Sequence, residues 1–516
     1  MDRLAWWLDG YDITLKNYLL EGFTVGFRIG YAGFPESKIY DNHSSTAKNP
    51  EVINEYIDKE LAAGRIMGPL HSLPVSFQCS PLGLVPKKET GDFRIIHDLS
   101  YPPGKSVNDF IPSEFTFVQY ESVYDAVDMI KQLGQEAFLA KSDIKNAFRI
   151  IPIHKDDQNL FLIQWNGLFY RDLVLEMGCS SACRIFEAFS SAIAWITKTK
   201  LGIPNVHYLD DFLLGSKTER LGLYDLNRFM DMCHDIGVPL SEKKTFPPAT
   251  VMSFLGFEID TVMKEFRLPK EKVDQCISEL SYLLNRNKAR LRRIQSVIGL
   301  LNFACQVVLP GRAFLRRLID ATRKYNAPFH WVRLSSSTKI NEDLRVWMQF
   351  LSNFNGRSFF LSDEVIDSDQ LNLFTDASGS IGYAAIFGKN WFYGQWTDDW
   401  RGQNIMLLEM YPIVLAIETW GEKLQNKRLI INTDNESLVP VLSKKTTKEH
   451  RVMSLVRRLV LACLKYNILI SARHVAGSIN QAADALSRLQ LDKFYKLCPD
   501  ANVHPSVIPH LPPLPS

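Results

Sequence analysis

The stretch Val206-His207-Tyr208-Leu209-Asp210-Asp211-Phe212-Leu213-Leu214-Gly215 places two adjacent carboxylates between apolar and aromatic residues. Apolar runs on both sides of a short polar pair predict two strands joined by a tight turn, with the acids at its tip. Two carboxylates on an apolar hairpin repel each other, and burying them is costly unless a cation neutralises them. An Asp-Asp pair by itself is more often a solvated turn, so the rest of the chain has to decide.

A third acid follows a predicted strand earlier in the chain. In Phe138-Leu139-Ala140-Lys141-Ser142-Asp143 the strand ends at Asp143 and the chain then turns, so this carboxylate could join the pair at the hairpin tip. Mg²⁺ binds one or two carboxylates together with substrate phosphates, and two ions about 4 Å apart can clamp the attacking and leaving oxygens of nucleotidyl transfer. The three acids therefore point to metal-dependent phosphoryl chemistry.

A second hairpin is predicted from residues 80–88 and 93–99, with a turn at 90–92. It would bring Lys87 or Lys88 close to Arg94 across the two strands, where these cations could hold the phosphates of a nucleotide. Exposed basic residues on a hairpin also fit an ordinary solvated face. A helix is predicted from Pro50 to the stop at Gly64, and another over residues 184–195.

Length and composition set broad limits on the class of protein. The chain has 516 residues, 46% of them hydrophobic and 22% charged, which predicts a folded protein of two to four domains. Its net charge is only +2, so local basic clusters would have to carry any interaction with nucleic acid. The eight cysteines show no paired CxxC spacing, no export signal is recognised and no apolar run approaches a membrane span. We expect an intracellular protein, cytoplasmic or nuclear, that is neither secreted nor bound in a membrane.

The order of the motifs resembles that of reverse transcriptases. The matching segments are the hairpin at 80–99, Ser142-Asp143-Ile144-Lys145-Asn146-Ala147-Phe148, Met177-Gly178-Cys179-Ser180-Ser181-Ala182, Tyr208-Leu209-Asp210-Asp211, Leu240-Ser241-Glu242-Lys243-Lys244 and Phe254-Leu255-Gly256-Phe257-Glu258. The resemblance implies an RNA-directed DNA polymerase with fingers, palm and thumb. Such an enzyme extends a DNA primer with deoxynucleoside triphosphates on an RNA or DNA template.

Carried over to this sequence, the resemblance gives the acids and one lysine a role in catalysis. It implies that Asp143 and Asp210 ligate two Mg²⁺ ions, for which Mn²⁺ can substitute, with Asp211 beside them. It implies that Lys243 or Lys244 protonates the leaving pyrophosphate. Both are expectations for the palm of the polymerase.

The same resemblance implies how the nucleotide is bound. Lys88 or Lys87, together with Arg94, would grip the incoming triphosphate. Phe148 stands where the family places its steric gate against a ribose 2′-OH, and Gly178 would line the nucleotide site. We therefore expect deoxynucleotides to be preferred over ribonucleotides.

Basic residues interleaved with apolar ones continue over residues 265–330. Their spacing predicts basic amphipathic helices, which would suit a thumb that follows a nucleic-acid backbone, or else ordinary solvated helix faces. These residues are Arg286, Lys288, Arg290, Arg292, Arg293, Arg312, Arg316 and Arg317.

A second acidic pattern begins after residue 369. Strands are predicted at 371–379, 381–387, 391–396, 429–435 and 468–475, and helices at 405–420, 436–443 and 447–466. Acids stand at strand ends or on otherwise apolar helices, and together they would form a negative cluster that needs metal. Taken singly, each acid would more often be a helix cap or a surface residue.

This second pattern resembles the ribonuclease H domain of retroelements. The matching segments are Thr375-Asp376-Ala377-Ser378-Gly379, Leu407-Leu408-Glu409-Met410, Thr433-Asp434-Asn435, His474-Val475-Ala476-Gly477 and Ala483-Asp484-Ala485-Leu486-Ser487-Arg488. The resemblance implies that Asp376, Glu409, Asp434 and Asp484 ligate two Mg²⁺ ions. It further implies that His474 assists proton transfer or product release while RNA in an RNA–DNA hybrid is cleaved.

The predicted architecture is an α+β and α/β multidomain chain. We expect an N-terminal extension over 1–50, fingers and palm over 51–260, and thumb and connection over 261–368. A ribonuclease H-like domain with a mixed sheet follows over 369–490, and a Pro-rich tail over 491–516 could lead to further retroelement domains.

A finer resemblance and two alternatives complete the predictions. Residues 6–10, 22–30 and 309–312 resemble the polymerases of DIRS-like, tyrosine-recombinase retrotransposons. One alternative is a domesticated nucleic-acid-binding protein whose catalysis has decayed, although seven intact acids argue against decay. The other is an enzyme in which only one of the two sites works.

Overall fold

The computed structural model describes residues 1–35, 37–87, 92–134, 136–323, 325, 327, 329–334, 338–354, 357–359, 365–371, 373–425, 427–476, 480–512 and 514. The chain divides into two compact units, Met1–Val262 and Met263–Ser516. Among the helices in these ranges, none combines the length and the apolar character needed to cross a membrane.

The first unit contains seven helices and thirteen strands in its described residues. The helices are α1 (Asp2–Trp7), α2 (Ile13–Val25), α3 (Ser44–Ala47), α4 (Pro50–Ala62), α5 (Val123–Leu133), α6 (Ala182–Thr199) and α7 (Glu219–Asp235). The strands are β1 (Lys38–Ile39), β2 (Ile66–Met67), β3 (Gln78–Cys79), β4 (Leu82–Pro86), β5 (Phe93–His97), β6 (Phe138–Asp143), β7 (Leu162–Trp165), β8 (Leu168–Asp172), β9 (Asn205–Tyr208), β10 (Asp211–Ser216), β11 (Phe246–Ala249), β12 (Val251–Phe254) and β13 (Phe257–Asp260).

The sheet that carries the acids has the strand order β11-β6-β10-β9. Strands β9 and β10 form the predicted hairpin, and β10 also pairs antiparallel with β6. A second sheet has the order β1-β3-β7-β8-β2, and β4 pairs with β5 as the predicted basic hairpin. Both hairpin predictions are confirmed.

Helix α4 shows how the local sequence fixes an element of this unit. Pro50 lies at its first turn, where a missing N–H costs nothing, and the chain leaves the helix at Gly64, whose φ is +67°. Ile53 and Ile57 are buried four residues apart on one face. The helix predicted to end at Gly64 is therefore confirmed, and α6 extends further than the predicted 184–195.

The main core of the first unit lies between the acid-bearing sheet and helices α6 and α7. It includes Phe186, Phe212 and Phe229, all completely buried. Leu8 and Phe27 from the first fifty residues belong to the same core. The N-terminal segment is thus packed into the unit that holds the candidate polymerase site.

The second unit contains ten helices and ten strands in its described residues. The helices are α8 (Lys270–Leu284), α9 (Leu291–Ala304), α10 (Arg316–Thr322), α11 (Thr338–Phe354), α12 (Ser368–Leu371), α13 (Ile405–Trp420), α14 (Leu438–Lys444), α15 (His450–Lys465), α16 (Gln481–Ser487) and α17 (Leu491–Leu497). The strands are β14 (Glu265–Arg267), β15 (Lys288–Arg290), β16 (Trp331–Arg333), β17 (Arg357–Phe359), β18 (Val365–Asp367), β19 (Leu373–Ala377), β20 (Gly382–Phe387), β21 (Asn390–Gln395), β22 (Arg428–Thr433) and β23 (Leu469–His474).

Two three-stranded sheets organise the C-terminal part of this unit. Strands β19, β20 and β21 form an antiparallel meander, and β18, β22 and β23 pair in parallel. Helix α13 has the predicted bounds and is buried on nearly every side, as its continuous apolar sequence requires. The strands predicted over 371–396, 429–435 and 468–475 are each found within a few residues of the predicted limits.

One prediction about the basic region is wrong. Lys288 and Arg290 lie on strand β15, which pairs with β16, and not on an amphipathic helix. Arg316 and Arg317 do lie at the start of α10, but their guanidinium groups pair with Asp320 and Asp343, at 2.9 Å in both cases. Cross-strand pairing with a segment forty residues away overrides the local helical spacing.

The Pro-rich tail is hydrogen-bonded to the C-terminal part of the second unit. The indole N–H groups of Trp391 and Trp400 donate to the carbonyls of Asn502 and Pro512, at 2.7 and 2.9 Å. The amide of Ser506 donates to the carbonyl of Trp391 at 2.7 Å. Residues 502–512 are therefore packed along β21 and the loop that follows it.

Candidate active sites

The turn between β9 and β10 places Asp210 beside Asp143. Leu209 adopts a left-handed conformation with φ +51°, which allows a two-residue turn, and Asp211 then pairs with both Tyr208 and Asp143. The amide of Ile144 donates to the carbonyl of Asp210 at 2.9 Å. Both Asp143 and Asp210 line a cleft of about 350 Å³. The structure thus brings together two acids that are 67 positions apart in sequence.

Burial makes these two carboxylates costly to ionise. Asp143 is only 4% exposed, and burial raises its pKa even though the Lys244 ammonium, 2.8 Å from its Oδ2, acts in the opposite direction. Burial also raises the pKa of Asp210, and the neighbouring Asp143 adds to that increase. A cation in the cleft would relieve this repulsion.

Asp211 lies in a different environment from its neighbour. Its Oδ2 is 2.9 Å from the ammonium of Lys141, which neutralises it locally, and it is absent from the lining of the cleft. Asp210 lies in the turn between β9 and β10, whereas Asp211 is the first residue of β10 and pairs there with β6. The two acids of the hairpin are therefore not equivalent.

The donor set in the cleft fits Mg²⁺. Within the described ranges, no three His, Cys, Asp or Glu side chains form a ready-made metal cage. Mg²⁺ does not require one, because it usually keeps several waters and binds one or two carboxylates together with substrate phosphates. Asp143 and Asp210 are hard oxygen donors placed next to open space, so they would hold the ion.

The predicted nucleotide-binding residues are only partly assembled in the cleft. Arg94 and Phe148 line it, and the Phe148 ring packs against Phe186 with a centroid separation of 5.1 Å. Lys87 is exposed beyond the end of β4, and Lys88 lies outside the described residues. Arg94 is thus the predicted triphosphate ligand that the described structure places at the cleft.

Gly178, which was expected to line the nucleotide site, is absent from the lining of the cleft, although Glu176 and Met177 of the same loop line it. A Cβ atom on Gly178 would lie 2.8 Å from the carbonyl oxygen of His97, so only glycine allows this loop to approach so closely. Lys244 lines the cleft through its contact with Asp143, whereas Lys243 is exposed. Of the two lysines, Lys244 is the one near the acids.

Sequence reasoning missed a cluster of charges on the wall of this cleft. Arg149, Glu60 and Glu176 all line it, and Arg149 pairs with both acids. A signal was present in α4, because Glu60 continues the buried stripe that begins with Ile53 and Ile57. A charged residue on the core face of a helix needs a buried partner.

A buried histidine lies on β9, three residues before Asp210. The Nε2 and Nδ1 atoms of His207 lie 3.0 Å from the carboxylates of Glu187 and Glu121, respectively. Burial by itself would lower the pKa of His207, but the two glutamates raise it from 6.5 to about 9. The imidazolium is therefore the form that this site stabilises.

This histidine predicts a pH-dependent stability. Because the folded pKa of His207 lies above its unfolded value, its contribution is complete below pH 6.5 and is lost as the pH rises through about 9. The free energy of unfolding should fall by up to about 3 kcal/mol more in the parent than in His207→Gln over that interval. Urea unfolding of both proteins at several pH values measures the difference, and parallel pH profiles would contradict it.

The second candidate site gathers four acids from four elements. Asp376 lies in β19, Glu409 in α13, Asp434 after β22 and Asp484 in α16. Burial raises the pKa of Glu409 to about 9, with Asp376 and Asp434 adding to the effect. Burial also raises the pKa of Asp376 to about 6, and Asp484 and Asp434 act in the same direction. Asp376 is thus close enough to each of the other three acids for charge repulsion, although no three acidic side chains of the described residues form a ready-made metal cage.

Polar neighbours hold Asp376 in this cluster. The hydroxyl of Ser487 donates to Asp376 Oδ2, and the amide of Asn480 donates to the carbonyl of Thr375 at 2.7 Å. Arg488 donates to Asp484 Oδ1 at 2.7 Å. The hard carboxylate donors again fit Mg²⁺, which Asp376, Glu409 and the more exposed acids would hold.

His474 lies at the exposed end of β23, next to the end of β22. Its Nε2 is 3.2 Å from the carbonyl oxygen of Asp434, and the parallel register pairs it with Thr433. The predicted histidine is therefore at the rim of the acidic cluster.

Strands β15 and β16 form a ribbon with one basic and aromatic face. Ala289 and Val332 pair with each other and are buried, so the opposite face carries Lys288, Arg290, Trp331 and Arg333, all exposed. The Lys288 ammonium and the Arg290 guanidinium lie 5.3 and 5.6 Å from the Trp331 ring centroid. We call these four residues the basic ribbon.

Comparisons with known proteins place these observations in a family context. Residues 85–259 match the family model described as reverse transcriptase (RNA-dependent DNA polymerase). The transposon Tf2-3 polyprotein of Schizosaccharomyces pombe (strain 972 / ATCC 24843) is 22% identical over 453 residues, covering 85% of this chain and 30% of the polyprotein. The chain therefore spans less than a third of the length of the curated relatives that it matches.

Solved structures show the same fold. The foamy viral protease–reverse transcriptase dRH in complex with double-stranded DNA has a TM-score of 0.51 at 17% identity, over 87% of this chain and 73% of that one. The foamy viral protease–reverse transcriptase in complex with an RNA/DNA hybrid has a TM-score of 0.51 at 16% identity, over 92% and 62%. The predicted multidomain fold of mixed α and β structure is confirmed, although the described residues of the C-terminal part form one antiparallel and one parallel sheet in place of a single mixed sheet.

The matched region contains the acids of the first site and much of the cleft wall. It begins at Val85 in β4 and ends at Ile259 in β13, so it includes Arg94, Asp143 and Asp210. Residues 85–259 therefore match the reverse transcriptase family over the part of the chain that carries both acids of the first site.

Proposed function

We propose that this chain is an RNA-directed DNA polymerase that extends a DNA primer with deoxynucleotides on an RNA or DNA template. The observation that carries the proposal is the cleft in which Asp143 and Asp210 lie beside Arg94, Phe148 and Lys244. A buried acid with a half-buried acid beside it, a cation for phosphates and an aromatic wall are the parts that metal-assisted nucleotidyl transfer requires.

The residues of the cleft have separate tasks in this proposal. Bound Mg²⁺ would polarise the α-phosphate and activate the primer 3′-OH, and Asp143 and Asp210 would hold it there. Arg94 binds the triphosphate by charge-assisted hydrogen bonds, and Phe148 excludes a 2′-OH by filling the space it would need. Lys244, 2.8 Å from Asp143, is placed to give a proton to the leaving pyrophosphate.

The test is primer extension by the full chain with an RNA template, a DNA primer, deoxynucleotides and Mg²⁺. Product that lengthens with time supports the proposal. A folded chain that binds the primer–template but adds no nucleotide would contradict it and favour a nucleic-acid-binding protein.

We also propose that the second unit cleaves RNA in RNA–DNA hybrids. The grouping of Asp376, Glu409, Asp434 and Asp484 supports this function, because the raised pKa values of Asp376 and Glu409 indicate a repulsion that bound cations would relieve. The metal would activate a water for attack on the phosphate, and His474 at the rim is placed to accept or give a proton. Hydrolysis of a labelled hybrid tests this activity separately from extension.

The basic ribbon supports contact of the second unit with a nucleic-acid strand. Three cations match phosphates, and the exposed Trp331 ring offers a surface on which a base can stack. Replacing Lys288, Arg290 and Arg333 by Ala should weaken binding of an RNA–DNA hybrid and reduce the slope of log K against log salt by about 3. Fluorescence anisotropy at several salt concentrations measures both quantities.

A charge-matched control separates this effect from a change in net charge. Lys155, Lys198 and Lys217 are exposed lysines of the first unit, and replacing all three by Ala removes the same charge. If the control lowers the slope as much as the ribbon variant does, the ribbon is not a specific contact.

We further propose that the element is of the DIRS-like, tyrosine-recombinase group and that the chain acts in the cytoplasm or nucleus. The amino-acid sequences of residues 6–10, 22–30 and 309–312 support the assignment to this group. The eight cysteines are free thiols, which suits a reducing compartment. Sequencing the DNA beside the coding region tests the group, since an integrase gene in place of a recombinase gene would contradict it.

A further inference from the structure

Arg149 directly follows Phe148 in the short 3₁₀ turn Ala147–Ile150, and its guanidinium contacts three carboxylates. One nitrogen lies 2.7 Å from Asp172 and 2.8 Å from Glu176, and another lies 2.7 Å from Glu60. The Arg149 side chain is 16% exposed and Asp172 is almost fully buried. Arg65 shares Glu60 through a second contact of 2.6 Å.

The three acids come from separate parts of the first unit. Glu60 belongs to α4, Asp172 ends β8, and Glu176 lies in the loop that leads to Gly178. The ion pair between Arg149 and Glu176 therefore links the turn that carries Phe148 to the loop that carries Gly178. These are two walls of the cleft that also contains Asp143 and Asp210.

The backbone conformation around Phe148 requires restraint by contacts from outside the turn. Asn146 and Ala147 both have positive φ, +62° and +21°, which side-chain-bearing residues adopt only where the surroundings impose it. The turn has few backbone bonds of its own, including that from the Arg149 amide to the Asn146 carbonyl at 2.7 Å. The guanidinium contacts add side-chain restraints from three directions.

The chemistry of the cluster requires arginine. Its planar fork donates to several carboxylates at once, whereas a lysine ammonium is a single point charge with a different reach. Burial by itself would lower the pKa of Arg149, but Glu176 and Asp172 raise it, so the guanidinium stays charged.

We propose that Arg149 is a positioning residue for sugar selection. Through Glu176 it holds Phe148 and the loop residues Glu176 and Met177, which line the cleft, at the separation that admits a deoxyribose and excludes a ribose 2′-OH. The inference rests on the proposed polymerase function and adds a specificity element to the same site. Glu60 and Asp172 anchor the other side of the guanidinium to α4 and β8.

The test compares two variants with a control from the same cluster. Arg149→Lys removes the planar fork, and Glu176→Gln weakens the link to the loop while keeping a hydrogen-bonding side chain of similar shape. Arg65→Lys is the matched control, because the guanidinium of Arg65 pairs with Glu60, and among the described residues no ion pair joins it to the Phe148 turn or the Glu176 loop.

The readout is the ratio of kcat/KM for a ribonucleotide to that for the matching deoxynucleotide in single-nucleotide primer extension. We expect both variants to raise this ratio about tenfold or more. The control should keep the parental ratio. A loss of structure alone would lower both kcat values together and leave the ratio unchanged.

The outcomes separate this inference from the function on which it rests. If the parent extends primers selectively and both variants keep its ratio, or if Arg65→Lys shifts the ratio equally, the positioning role is wrong and the polymerase remains. If the parent extends no primer, both proposals are overturned. If Arg149→Lys does not fold, Glu176→Gln still tests the inference. This variant removes one negative charge from a cluster of acids, so we expect it to fold.

Discussion

Asp210→Asn should reduce primer extension by at least about a thousandfold. Asn keeps the size of the side chain and so preserves the hairpin, but it replaces the carboxylate that we propose as a metal ligand by a neutral amide. Burial and Asp143 raise the pKa of Asp210, so its carboxylate costs stability in the folded state. We therefore expect the variant to fold at least as well as the parent and to lose only the chemistry.

Two comparisons make this result specific. Asp231→Asn changes an exposed acid on α7 and should leave extension unchanged. Binding of the primer–template by Asp210→Asn should stay within about threefold of the parent, since the acid adds no favourable contact to a phosphate backbone. Substantial extension by Asp210→Asn would show that this hairpin is not the polymerase site.

Asp376→Asn should reduce cleavage of RNA in an RNA–DNA hybrid by at least about a hundredfold and leave primer extension unchanged. The carboxylate is 7% exposed and has a pKa raised to about 6 by burial, so removing its charge relieves repulsion with Asp434 and Asp484. Thermal unfolding should occur at the same or a higher temperature than in the parent. Gel analysis of a labelled hybrid measures the activity.

A surface acid of the same unit provides the control. The side chain of Asp398 is 95% exposed, and Asp398→Asn should leave hybrid cleavage unaltered. If the parent extends primers but cleaves no hybrid, the enzyme with a single working site is the correct alternative. If Asp376→Asn cleaves as fast as the parent, the acidic cluster is not the nuclease site.

The sequence was most informative where function depends on short-range patterns. An acid that ends an apolar run is found at the end of a strand, as with Asp143 and Asp376, because alternation and turn residues fix that local geometry. The hairpin around Asp210 follows from ten consecutive residues. Both sets of acids could therefore be placed before any contact was known.

Other features depend on contacts that local patterns do not encode. Arg149 meets Glu60 across 89 positions and Glu176 across 27, and nothing near Arg149 identifies either partner. Lys243 and Lys244 are adjacent in one turn, and only the tertiary structure shows that Lys244 reaches Asp143. Strand β15 similarly requires its distant partner β16, which is why a helix was predicted there.

The hydrogen bonds between the tail and two buried tryptophans indicate how far along the chain the folded part of the second unit extends. Trp391 and Trp400 are 2% and 0% exposed, and their indole N–H groups find acceptors only at Asn502 and Pro512 among the hydrogen bonds described. Ending the polypeptide at Arg488 would remove both acceptors and expose to water the apolar face of Trp391 that Phe494 covers. Exposing apolar surface that is buried in the fold costs free energy of unfolding. We therefore expect the stable folded part of this unit to require residues through Pro512.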